Sequence, residues 1–215
     1  MNLPEVTLNA DGDLIATPSS AEVLADLLVT YEDELRRAAP SFCELLNPGL
    51  APDQIRSMLA EIDITASDEL VTWFSWHNGR HYPEDVWAPE LHPFFRAVTL
   101  EGSIAAYESS VAFQKRVGTE GVYNWKKGWV GISDASVGFM VSSTGDSPDA
   151  PSIVQFCDEE NYAGERGTLP WMITLCPLVT WWIEALRNGA ATENGGGWTY
   201  DASKLTPLQR SSRLI

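Results

Sequence analysis

The stretch from Pro48 to Gly79, PGLAPDQIRSMLAEIDITASDELVTWFSWHNG, limits what this chain can fold into more than any other. It reads as two short helices joined by a tight turn. Ile55, Met58, Leu59 and Ile62 fall at i, i+3, i+4 and i+7, the spacing of one buried helical face. Pro52 suits a first helical turn, where the missing N–H has no intrahelical partner to lose. In the second helix Thr65 stands three residues before Asp68, a capping box with the shorter acid. Leu70, Trp73, Phe74 and His77 then repeat the apolar spacing. Asn78-Gly79 supplies the left-handed residue that closes such a helix.

Around this unit the chain reads as helices, then strands, then a helix. Residues 1–18 mix Asn, Asp, Gly and Pro and are expected to form a flexible arm, with one short strand at Val6–Leu8. Ser19 and Glu22 make a capping box, followed by a helix to about Ala38 on the stripe Leu24, Leu28, Tyr31 and Leu35. Glu34, Arg36 and Arg37 are placed on its outer side. After Gly79 a proline-rich loop, RHYPEDVWAPELHPFF, has two readings: a functional loop, or a plug in which Trp87, Phe94 and Phe95 close the core edge. A short strand near Phe95 leads into a helix from about Gly102 to Val117. The period then changes to short β-branched runs at Trp129–Ile132, Gly138–Ser142 and Ile153–Cys157, with a hairpin turning through Ser133–Val137. From about Thr174 a helix with Leu178, Trp181, Trp182, Ala185 and Leu186 on one stripe runs to Asn188, and Gly189 caps it. Trp198–Tyr200 is a candidate edge strand, and residues 206–215 are read as a tail. The order predicts a single α+β domain, a central and mostly antiparallel sheet of short strands packed against N-terminal and C-terminal helices.

Several of these segments together resemble the SUKH superfamily, in the branch similar to the yeast cell-wall-synthesis regulator. The resemblance rests on PGL with its following isoleucine and leucine spacing, and on the EL-x-x-x-F-x-x-HNG run. Leu100–Ile104 with Tyr107, the strand Gly128–Ile132, Ile153–Phe156 and the helix ending Leu186–Ala190 complete it, in order, over residues 20–205. Ser67 stands where the family usually has proline, and Ser142-Ser143 replace an acidic residue that the family often carries. The resemblance implies a SUKH-like domain over residues 19–205. For bacterial relatives it implies a non-enzymatic immunity protein that binds and neutralises a toxin, often a nuclease. The alternative it implies is an intracellular regulatory or scaffold protein linked to control of cell-wall synthesis.

Charge bears on the choice of partner. With 14 basic and 30 acidic residues the formal charge is −16. Phosphate binding needs clusters of Lys and Arg, so nucleic acid and anionic membrane are not the expected partners. An acidic exterior can simply keep a protein soluble, or it can attract a basic protein. The three cysteines, Cys43, Cys157 and Cys176, are odd in number and widely spaced, which fits a reducing compartment better than a disulfide framework. No signal peptide and no apolar run long enough to span a bilayer are found, so a cytoplasmic monomer or weak dimer is expected.

The search for reaction chemistry is negative. His77 and His81 stand four apart, but Asn78-Gly79 between them breaks the helical face that a zinc pair would share. Cys157 and Cys176 lie in apolar runs and read as packing residues. No nucleophile elbow, Walker loop or dinucleotide fingerprint is present. No catalytic residue, metal or cofactor is therefore expected. A hydrolase whose site is not visible in sequence is the third possibility. For partner binding the candidates are Glu84, Asp85 and Trp87 in the proline-rich loop, Asp134 in the hairpin turn, Asp146 and Asp149 in the next loop, and the cluster Asp158, Glu159 and Glu160.

Overall fold

A computed structural model describes residues 2–81, 95–117, 129–135, 138–143, 153–156, 172, 174–194 and 197–212. Its helical layer grows from the apolar stripes. Helix α1 (Ala21–Ala38) buries Leu24, Leu27, Leu28, Tyr31 and Leu35 completely. Its cap is Ser20, whose side chain accepts from the Val23 N–H, while Ser19 is hydrogen-bonded to Thr174. The capping box expected at Ser19 is thus displaced by one residue. Glu34 also departs from expectation: it is turned inward, 6% exposed, and held by Arg37 and Arg187. After α2 (Pro40–Cys43) and strand β3 (Leu46–Pro48) come α3 (Pro52–Ala60) and α4 (Asp68–Trp76), the pair read from the organising stretch. Ile55, Leu59, Leu70, Val71, Trp73 and Phe74 face inward, and Met58 and Ile62 are half-buried. Ser67 caps α4 through the Leu70 N–H, in place of Thr65.

The end of that unit is a strand and not a helix cap. Helix α4 stops at Trp76, and His77–Arg80 form β4, antiparallel to β3. Gly79 is in the left-handed region (φ +64°), as its sequence setting requires, but the reason is contact: a Cβ there would lie 2.5 Å from the Val98 carbonyl carbon. Gly49 is tighter still, since a Cβ would lie 1.8 Å from the Ser75 oxygen. These two glycines let β3 and β4 press against the end of α4 and the approach to the next helix.

Strand β5 (Phe95–Ala97) leads into α5 (Leu100–Val117) and a four-stranded antiparallel sheet in the order β5, β6 (Trp129–Ala135), β7 (Gly138–Ser143), β8 (Ile153–Phe156). Helix α5 lies along β6, tied by the Ser103 hydroxyl donating to the Gly131 carbonyl. Helix α6 (Cys176–Arg187) packs across α1. Where α1, α4 and α6 meet, Tyr31, Trp76, Trp73 and Trp182 form a closed circuit of rings with centroids 5.3–6.2 Å apart. Burying each large aromatic side chain contributes roughly 2–3 kcal/mol, and tilted ring pairs about 1 kcal/mol more.

The first and last described segments also belong to this body. The expected arm is a hairpin of β1 (Glu5–Leu8) and β2 (Leu14–Thr17), with Leu14 fully buried and Ala16 nearly so. Its turn is set by Asn9, whose side-chain oxygen accepts from the N–H groups of Asp11 and Asp13. At the other end β9 (Ala191–Asn194) pairs with β10 (Gly197–Tyr200), which contains the expected strand at Trp198–Tyr200. The expected tail holds α7 (Pro207–Ser212), begun by a reciprocal cap: Gln209 N–H donates to the Thr206 hydroxyl and Thr206 N–H to the Gln209 side chain. The architecture is a single α+β domain with short antiparallel sheets packed against N- and C-terminal helices. Among the described residues, no helix is long and apolar enough to cross a membrane.

Candidate functional site

The acids of the first 70 residues sort into two groups by direction. This segment holds 14 acidic side chains and 3 basic ones, all arginine, a net charge of −11 out of the whole chain's −16. The first lysine is Lys115. Four of the acids point inward, and each does a structural job. Asp13 is in the hairpin turn, Glu34 holds two arginines, and the Glu69 carboxylate accepts from the Leu175 N–H, just ahead of α6. Glu32 receives Trp76 Nε1 at 3.0 Å, His77 Nε2 at 3.3 Å and the Arg36 guanidinium. The other ten are exposed: Glu5, Asp11, Glu22, Asp26, Asp33, Glu44, Asp53, Glu61, Asp63 and Asp68. On α1 the exposed Glu22, Asp26 and Asp33 are spaced four and seven residues apart along one face. Among them stands Val29, 61% exposed, more than any other large apolar side chain among the described residues. Helices α3 and α4 add the exposed Asp53 and Asp68, the second of them facing Arg56 at 3.3 Å.

His77, Glu32, Cys43 and Cys176 are committed to contacts within the fold. His77 Nδ1 lies 2.7 Å from the Asn47 carbonyl, so it must donate there. The ring fills its second contact, to Glu32, as a donor only when it carries a second proton. Partial burial pushes the Glu32 carboxyl up, but the hydrogen bonds from Trp76 and His77 and the charges of His77 and Arg36 outweigh it, and its pKa is lowered. Burial pushes both the Cys43 and the Cys176 thiols up, away from the reactive thiolate, more than the hydrogen bond from Arg36 or those from Ser19 and Thr174 pull them down. Among the described residues no three His, Cys, Asp or Glu side chains are grouped to hold a metal ion.

Of the residues proposed from sequence for partner binding, Glu84, Asp85, Trp87, Asp146, Asp149, Asp158, Glu159 and Glu160 lie outside the described residues. Asp134 lies within β6, opposite Phe139 on one side and Arg96 on the other, so it is a strand residue and not a turn residue. The strands pair further toward the hairpin end than their apolar runs suggest. What sequence reasoning missed is the outer face of α1. The signal was available there, because Glu22, Asp26, Val29 and Asp33 repeat at helical spacing opposite the buried stripe. Comparison of the chain with protein-family models and with curated proteins finds no match. The resemblance to the SUKH superfamily rests on the sequence motifs alone.

Proposed function

We propose that this chain is a cytoplasmic binding protein that performs no reaction and neutralises a bacterial toxin by covering its basic surface. The observation that carries the reading is the concentration of exposed acid in the first 70 residues, ten carboxylates against three arginines, with Glu22, Asp26, Asp33, Asp53 and Asp68 on the helices. A nuclease needs cationic surface for phosphate, and a strongly acidic inhibitor steers toward that surface and occupies it. The resemblance of the Pro48–Gly79 unit to immunity proteins supports the choice of a toxin as the partner. Val29 and its acidic flanks fit the pattern of an apolar contact ringed by charge.

The test is co-expression with a candidate toxin, a secreted effector with a toxic C-terminal domain encoded in a neighbouring gene if the locus carries one. Growth rescue with a co-purifying complex is the expected result, and an association rate that falls about tenfold or more as salt is raised identifies the electrostatic part. Rescue without a complex, or a complex indifferent to salt, overturns the mechanism. Capture of a host protein in place of an effector would leave a regulatory bridge as the function.

A further inference from the structure

A chain of side-chain hydrogen bonds links α1 to α5 through the His77-Asn78 dipeptide. Glu32 on α1 faces His77 Nε2, and His77 Nδ1 donates to the Asn47 carbonyl. The Asn47 side chain donates to the Asn78 carbonyl at 2.9 Å. Asn78 in turn holds the start of α5 with both ends of its amide. Its oxygen accepts from the Leu100 N–H at 2.7 Å, and its nitrogen donates to Glu101 at 3.1 Å. Asn47 sits where the β3–β4 pairing shifts register, between Leu46 and Pro48, so its side chain joins the strands at the point where the backbone ladder is irregular. A second and independent link runs beside the first. Gly79 lies so close to Val98 and Thr99 that even a methyl group would not fit. A movement of β4 therefore has no slack before it reaches the α5 N-terminus.

We propose that these contacts form a relay, in which the state of Glu32 on the acidic helical layer sets how firmly α5 is anchored beside the sheet. Removing the carboxylate frees one side of the His77 ring. The donor to Asn47 loses its fixed position, and the clamp of Asn78 on Leu100 loosens three side chains away. This coupling does not depend on what binds the outer surface.

Amide hydrogen exchange on the full chain reads it directly. The Leu175 N–H, held by Glu69 outside the relay, serves as the internal reference. In both Glu32→Ala and Asn47→Ala the protection of the Leu100 amide is expected to fall about tenfold relative to that of Leu175. Should Glu32→Ala not fold, Glu32→Asp retracts the carboxylate and carries the same expectation. An unchanged ratio in both variants overturns the relay, because a merely stabilising Glu32 would lower both amides together. A loss confined to Asn47→Ala also overturns it, since the connection would then end at β3 and not reach α1.

Discussion

The two faces of α1 carry the same kind of side chain to opposite ends. On the inner face Glu32 and Glu34 are surrounded by donors: Trp76, His77 and Arg36 for the first, Arg37 and Arg187 for the second. On the outer face Glu22, Asp26 and Asp33 stand in solvent around Val29. A carboxylate withdrawn from water must recover its lost hydration from fixed donors, so inner acids are bound to the fold. An exposed carboxylate keeps its water and adds little to stability, which leaves it available for association. Position relative to the core, and not residue type, separates the acids that hold the molecule together from those that can meet another one.

The sharpest way to break this contrast is Glu34→Ala. Glu34 is 6% exposed and is the only listener for Arg187 Nε among the described contacts, at 2.7 Å. Its loss separates α6 from α1 electrostatically and leaves a small void. A destabilisation of about 2–3 kcal/mol is expected, less than for a fully buried pair because both arginines can return to water. Urea unfolding at neutral pH measures it. A change below about 0.5 kcal/mol would place Glu34 with the outer acids and remove the distinction.

Glu32→Gln is expected to cost about 1–2 kcal/mol at pH 7, with a pH dependence that Glu34→Ala does not test. The folded-state pKa of Glu32 is lowered, so its contribution is present above the unfolded carboxylate range and is lost as pH falls through the folded value. The gap between the wild type and the variant should therefore close in acid. Glu184 on α6 sharpens the comparison by having the opposite sign. Burial raises its pKa more than the hydrogen bond from Gln209 and the charge of Arg187 lower it. Its favourable term is present below the unfolded pKa and fades as pH rises through the folded one. Glu184→Gln is thus expected to stabilise slightly at pH 7, by less than about 1 kcal/mol after allowance for solvent screening, and to lose that advantage in acid. Paired pH titrations of unfolding that show the same slope for both variants would refute the assignment.

These inner roles explain which parts of the structure were legible beforehand. The helices α1, α3, α4 and α6 follow from local periodicity, because each apolar stripe is written within one helix. The caps sit one or two residues from where the local pattern puts them, since Ser19 and Thr65 satisfy the same pattern as Ser20 and Ser67 and only tertiary packing chooses between them. His77 continues the helical spacing of Leu70, Trp73 and Phe74, yet it starts β4. The pairing that draws it out of the helix comes from Pro48, 29 residues earlier. Helical spacing alone puts Glu34 on the outer side, because nothing near it in sequence announces Arg187. The acidic face of α1 was legible in the spacing, whereas the network at Glu32, Asn47 and Asn78 was not, because each of its links joins residues far apart in the chain.

The smallest effect on the fold is expected from neutralising the outer face, and it is also the most decisive for the contrast. Glu22→Gln, Asp26→Asn and Asp33→Asn together keep side-chain size and leave α1's buried stripe untouched. Glu22 lies in the first helical turn, where a negative charge favours the helix dipole, so a loss of a few tenths of a kcal/mol is expected from that position. The other two should change stability by no more, and relief of repulsion in a segment of charge −11 works in the opposite direction. Unfolding should therefore shift by less than about 0.5 kcal/mol. Association with a basic partner should slow by about tenfold at low salt and converge on the wild-type rate at high salt, where screening removes the difference. If the triple variant unfolds as readily as Glu34→Ala, the outer acids are structural after all. If it keeps both its stability and the partner's association rate, the binding face lies elsewhere on the molecule.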